Sequence, residues 1–551
     1  MPDPGTVSVR EMPSSGLSLV DLARSLSERA SREARLTQPE TLESLESVLL
    51  DTVNVRSGLN LFRSPINHLP VEILGHTLSL VPQRDDEAED GLTIWSASPV
   101  RISDCVRLMS VCRFWRDIIL GSTSLWNSIH NFLPSGILRA ARLTSPRLHL
   151  DSRPKGEWAT ILSRNPLDVG EIQWKYSDAL PLNFLKAPAP RLHSLTISAG
   201  LPGWNHSLLK GDNRELFCGQ TPSLRRLALH HMKSLPPNKF ANLTRLLLAR
   251  SAHVQPSQLL SWLASSPRLE DLVIVETSFT AWDGTHPAMD ALQYLRRLVI
   301  KDCHEEHLLW LISLPALTPG TAVRLDNVVL LPSGTTFSPY PAGQDIIRLA
   351  LRTDGMMALG PATGLLYRRR GDQPSFDAVQ SRISLSHITE LWWLLGYSRA
   401  NTADRLRQFL SAMPSLTTLV ILGRDLPRVM KILSPSCPTE PHASSVVPCP
   451  HLTTLRVIIS SPIWPHRYEL PSSSGLSQFF ASRVESGHSI DHLILESLPY
   501  EANPPDPIDS MEGVEFEWKK HIEWQSFEMT LPDVCAQRAH YYWPAWSVFA
   551  D

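Results

Sequence analysis

Apolar residues recur along this chain in one short phrase, two three apart and the third two further on. Copies fall at Leu192, Leu195 and Ile197, then at Leu224, Leu227 and Leu229, and then at Leu243, Leu246 and Leu248. Further copies are Leu269, Leu272 and Ile274, then Leu295, Leu298 and Ile300, then Leu416, Leu419 and Ile421. The last are Leu452, Leu455 and Val457, and Ile490, Leu493 and Leu495. The alternation that closes each copy predicts a strand with one face on a core. Segments of helical period lie between: Pro256 to Ser265 with Leu259, Leu260 and Leu263, His307 to Leu314, Ala403 to Met413, and Leu476 to Val484.

The phrase LxxLxL is the strand half of a leucine-rich repeat, and the early steps of 26 residues fit that unit. The predicted fold class is α/β: a small helical domain, then a curved solenoid with parallel inner strands and outer helices over residues 136–498. Residues 326–385 break the pattern. They carry Pro332, Pro339, Pro341, Pro361 and Pro374 and the cluster Arg368, Arg369 and Arg370, so a degenerate repeat with an inserted loop is expected there. The segment 499–551 opens acidic and Pro-rich from Glu501 to Asp509. It then carries Trp518, Trp524, Tyr541, Tyr542, Trp543, Trp546 and Phe549, read as a cap on the last repeat.

Upstream, residues 1–60 form a polar leader. Leu42, Leu45, Leu49 and Val53 make one helical stripe, expected to pack on the next domain. Residues 61–135 are dense and apolar, apart from an insertion at about 82–102 holding Asp85, Asp86, Glu87, Glu89 and Asp90, read as a solvated loop.

Composition narrows the function. The 551 residues are 42% hydrophobic, which suits a folded chain, and the net charge of −3 gives no field favouring nucleic acid or anionic membrane. The opening residues lack the apolar core of a signal peptide, and no stretch is long enough to span a bilayer. The 7 cysteines contain no CxxC pair. An intracellular protein, cytoplasmic or nuclear, is expected. No phosphate-binding loop or nucleophile elbow occurs, and Cys303, His304 and His307 fall short of a zinc set. Neither an enzyme nor a cofactor is expected.

One resemblance sharpens this. Leu69, Pro70, Glu72, Ile73 and Leu74 resemble the first helix of the F-box. Val111, Cys112, Arg113, Trp115 and Ile118 resemble its later helix, and Ser124, Leu125 and Trp126 its closing phrase. Fungal F-box families with an inserted loop and irregular leucine-rich repeats are similar in layout. The resemblance implies a Skp-type adaptor and a cullin complex as partners. It implies adaptor contact through Leu69, Pro70, Glu72, Ile73, Leu74, Leu125 and Trp126, with Val111, Cys112, Trp115 and Ile118 as core. The chain would then be the substrate-recognition subunit of an SCF-type ubiquitin ligase. An adaptor-bound scaffold outside a full ligase is the alternative, and an enzyme hidden in the array a remote one.

An unknown protein client would be read by the strand residues that face away from the leucines: Arg226, His230, Arg245, Asp271, Arg297, Lys301 and Arg456. Their excess of positive charge suits an acidic or phosphorylated segment. A mixed surface covered by a loop or by the aromatic tail is the other reading.

Overall fold

The computed structural model describes residues 39–82, 94–95, 101–122, 125–126, 128–130, 147–150, 169–176, 187–199, 215–232, 235–280, 292–303, 318–328, 345–368, 383–395, 403–434, 447–459, 472–497, 513–521 and 529–549, with a few single positions besides. It forms two compact units. One holds residues 1–83 and 101–122, the other 84–100 and 123–551. The acidic stretch of the insertion, Ser124, His304, His307, Arg369, Arg370, Trp524 and the 501–509 segment lie outside the described residues.

The first unit is helical. Helix α1 spans Pro39–Arg63, a short 3-10 turn Pro65–His68 follows, and α2 runs Val71–Leu80. Pro70, with no N–H to lose, sits as N-cap of α2. Helix α3 covers Ile102–Met109 and α4 covers Arg113–Gly121. Cys112 caps α4, its Sγ accepting the Trp115 N–H. The core is small: Leu74 and Leu78 from α2, Ile102, Cys105 and Met109 from α3, and Ile119 from α4. A hydrogen bond 2.7 Å long from Trp115 Nε1 to Asn67 Oδ1 ties α4 to the turn before α2. Of the stripe on α1, Leu49 and Val53 are exposed, and the side chains of Leu42 and Leu45 lie outside the described residues.

The second unit carries one 17-stranded sheet. Strands β1 (Ser128–His130), β2 (Arg147–Leu150), β3 (Glu171–Tyr176), β4 (Ser194–Ala199), β5 (Arg226–His230), β6 (Arg245–Ala249), β7 (Asp271–Val275), β8 (Arg297–Lys301) and β9 (Ala322–Asp326) lie side by side and parallel. The repeated phrase is stacked in register: Leu195 opposite Leu227, Leu227 opposite Leu246, Leu246 opposite Leu272 and Leu272 opposite Leu298. Helices such as α5 (Pro256–Ser265), α6 (Ala403–Ser411), α7 (Leu426–Leu433) and α8 (Ser473–Glu485) occur between strands and bury most of their apolar residues, Val484 of α8 being exposed. The leading leucine of a copy is buried, and its N–H closes a turn onto the carbonyl three residues back, as in Leu243 to Phe240 and Leu269 to Ser266.

Several strands end on a non-glycine residue in the left-handed region: His231, Arg250, Glu276, Asp302 and Asn327, with φ between 46° and 58°. Each such N–H donates to the neighbouring strand, Arg250 to Val275 O at 2.8 Å and Glu276 to Lys301 O at 2.9 Å. The ladder thus offsets a conformation that costs about 1–3 kcal/mol outside glycine.

Residues 345–368 correct the expectation of a degenerate repeat. They form a meander of β10 (Arg348–Arg352), β11 (Gly355–Leu359) and β12 (Gly364–Arg368). Strand β12 pairs with β9 and β10 with β13 (Glu390–Leu394), both parallel, and β11 lies between them antiparallel. The sheet therefore continues unbroken through β14 (Thr418–Leu422), β15 (Thr454–Ile458), β16 (His492–Ser497) and β17 (Glu515–Lys520).

The tail does not behave as an end cap. Phe527, Met529, Trp543, Trp546 and Phe549 pack on the face of the sheet opposite the leucines, against Leu247, Val273, Val299, Ala350 and Trp392. The short helix α9 (Asp533–Ala536) lies within this segment. The tail is pinned by Arg348 donating to Thr530 O at 3.0 Å and Arg352 to Ser547 O at 3.2 Å. Gly364 leaves room for it: a Cβ there would lie 2.7 Å from Trp546 and 2.9 Å from Cys535. The end of the sheet is closed by β17, whose charges on an edge strand discourage further pairing.

Candidate adaptor-binding surface and the occupied face of the sheet

In the helical unit, the residues resembling the first F-box helix divide by face. Leu69, Pro70, Glu72 and Ile73 are exposed, Ile73 by 52%. Leu74 lies on the inner side of α2 and is fully buried, so it is core and not a contact surface. Val71, Leu80 and Val81 extend the exposed apolar set, and Val106 joins it from α3. Val111, expected in the core, is 58% exposed because it precedes α4 instead of lying within it. Cys112, Trp115 and Ile118 are half-buried, and the side chain that fills the core is Ile119. Leu125 and Trp126 belong to the second unit, where both are 2% exposed. Contrary to expectation, their side chains offer no open surface to an adaptor.

Large exposed apolar side chains are uneven between the units. Among the described residues the far larger second unit shows only Tyr294, Val484, Phe516 and Tyr541, scattered singly. The first unit exposes Leu69, Val71, Ile73, Val106 and Val111, besides those of α1. Such exposed apolar residues on a small helical unit are the kind of surface on which a partner chain can pack.

The residues expected to read a client occupy the predicted face of the sheet, but that face is already filled. Asp271 is buried and lies between two arginines, 2.6 Å from Arg297 and 3.4 Å from Arg245. Burial pushes its carboxyl above the usual range, and the two guanidiniums act in the opposite sense. Arg456 makes hydrogen bonds to the Glu496 carboxylate and stands over the Trp392 ring, 5.2 Å from its centroid. Lys301 stands over Tyr542 of the tail, 5.8 Å from the centroid. His230 is buried. Arg226 donates to the carbonyl of Trp95 at 3.1 Å. Trp95 comes from the insertion, so the reading of that whole segment as a solvated loop is corrected at its far end. Ile94 and Trp95 are partly buried and pack against the cluster made by sheet and tail.

His540 is the residue that sequence reasoning missed. It is 4% exposed and meets Trp95 edge to face, ring centroids 6.0 Å apart. Burial first, and then the charges of Arg297, Arg245 and Arg324, push its imidazole down to about 3. It is neutral at physiological pH. Nothing in the local sequence marks it, because the arginines that surround it lie more than two hundred residues upstream.

Comparison with known families matches one part of the chain. Residues 66–131 fit the F-box-like family model. The chain therefore contains an F-box-like domain, at the place where the helical unit shows its exposed apolar residues. No curated protein matches the chain significantly. No helix among the described residues is long and apolar enough to cross a membrane.

Proposed function

We propose that this chain is the non-catalytic substrate-recognition subunit of an SCF-type cullin–RING ubiquitin ligase. Its F-box-like domain binds a Skp-type adaptor, and its large second unit binds a protein client. The observation that carries the reading is the coincidence of the F-box-like match at 66–131 with exposed Leu69, Val71 and Ile73. A helical unit with so small a core gains stability by covering these residues on a partner, roughly 1.5–3 kcal/mol for each large side chain fully buried. The stacked Leu phrase supports an irregular leucine-rich-repeat array as the client-binding body. A long rigid sheet suits that role, because it holds a recognition surface in place without chemistry of its own.

The test is assembly. Full-length chain, purified Skp-type adaptor and cullin are expected to co-elute as one complex on gel filtration. Binding of the adaptor without recruitment of the cullin would favour the scaffold alternative. Failure to bind the adaptor at all would remove both readings.

A further inference from the structure

Ile94 and Trp95, within the stretch matched as F-box-like, belong to the second unit and pack there by their own side chains. Ile94 and Trp95 lie on the tail-bearing face of the sheet, with Trp95 against His540 and its carbonyl on Arg226. Two features make this a ligand site and not ordinary core.

The first is charge. Arg226, Arg245 and Arg297 stand in register on neighbouring strands around Asp271. The same row holds two carboxylates against four arginines: Asp271 is shared by Arg245 and Arg297, and Glu171, two strands from Arg226, pairs with Arg147. Burial and then Arg245 lower the proton affinity of Arg226, Glu171 acts in the opposite sense, and the guanidinium donates to the neutral carbonyl of Trp95. Four arginines against two carboxylates leave the row with more cations than its own anions neutralise.

The second is a set of unmade hydrogen bonds at the same spot. Trp95 Nε1, both ring nitrogens of His540 and Arg297 Nε are buried without a partner among the described residues. Buried polar groups are ordinarily hydrogen-bonded, so the present occupant is imperfectly matched. The occupant's own sequence suggests the better one. Trp95 follows Asp85, Asp86, Glu87, Glu89 and Asp90 within ten residues, an aromatic side chain behind a run of carboxylates.

We propose that the Arg226, Arg245, Arg297 and His540 position is the client-binding site, that its ligand is a peptide carrying an aromatic residue behind acidic residues, and that Ile94 and Trp95 are a self-ligand which such a peptide displaces. The inference rests on the second unit being the client-binding body. It does not depend on the adaptor. A tethered ligand competes at an effective concentration of the order of millimolar, so it weakens binding in trans without blocking it.

The experiment uses a fluorescent synthetic peptide of residues 84–98 and the full-length chain, read by anisotropy. Trp95→Ala is expected to bind the peptide about tenfold or more tightly than the unaltered chain. Binding to the variant should be lost when the peptide's own tryptophan is alanine, when its acids are amides, or when Arg226→Gln is added. A second measurement avoids reliance on the variant's folding. Excess peptide added to the unaltered chain should speed hydrogen exchange at the backbone amides of 94–98. Peptide binding that is no tighter to a folded Trp95→Ala chain, or exchange unchanged at saturating peptide, would overturn the proposal. Binding that survives neutralisation of the acids would overturn its charge component and leave an aromatic pocket. The adaptor experiment is separate: its failure would remove the ligase reading and leave this site standing, and the converse also holds.

Discussion

Trp543→Ala is expected to lower the stability of the second unit by about 3–5 kcal/mol, the range for removing a large buried aromatic side chain. Trp543 is fully buried. Its Nε1 donates to Val534 O at 2.9 Å, and its ring stacks at a tilt on Trp546, centroids 5.2 Å apart. The truncation empties the centre of the layer that covers Leu247, Val273, Val299 and Trp392. Urea denaturation followed by fluorescence and by far-UV circular dichroism checks it. The midpoint should fall with both probes. If the tail leaves before the sheet unfolds, the transition should split and its first phase show a smaller urea dependence. A midpoint within error of the parent would mean that the tail is a decoration on a face stable without it.

Arg483→Met is expected to cost a similar amount, about 3–5 kcal/mol, by a different route. Arg483 in α8 is completely buried. Its guanidinium donates to Leu433 O at 3.4 Å, Pro448 O at 3.1 Å and Cys449 O at 3.1 Å. These carbonyls come from the end of α7 and from the segment before β15. Methionine keeps most of the volume but leaves three buried acceptors unmatched, at roughly 1–3 kcal/mol for each. Lysine should rescue poorly, because a point charge cannot present the guanidinium's planar fork to three carbonyls. The check is the same denaturation, with Arg483→Lys alongside. A loss below about 1 kcal/mol in the methionine variant would show that these bonds do not hold the loops.

How much of this was legible in the sequence depends on which physical constraint wrote each residue. The leucine phrase was legible because core burial imposes a fixed spacing, and Leu227, Leu246, Leu272 and Leu298 take the expected register. The covered second face left a signal that was under-read. Strands such as β6, Arg-Leu-Leu-Leu-Ala, and β7, Asp-Leu-Val-Ile-Val, are apolar at consecutive positions, which is the mark of a sheet buried on both sides. The meander also left a trace. Thr353 and Asp354 form the two-residue hairpin link, and Gly355 opens β11 opposite Arg352, so Asp354 and Gly355 between apolar runs are the trace. Trp126 was misplaced because a motif gives residue types without saying which unit buries them. The contact between Trp95 and His540 could not be read at all: more than four hundred residues separate them, and neither belongs to a periodic pattern.

The most direct test of the central claim is the affinity of the full-length chain for a purified Skp-type adaptor, measured by titration calorimetry on three variants. Leu69→Asp, just before α2, and Ile73→Asp, on the exposed side of α2, each place a carboxylate where burial against a partner would leave it unpaired at a cost of several kcal/mol. Val484→Asp places one on an equally exposed position of α8 in the other unit. The account predicts a loss of about 100-fold or more for the first two, with unchanged unfolding midpoints, and no change for the third. Parent-like affinity in folded Leu69→Asp and Ile73→Asp would contradict it.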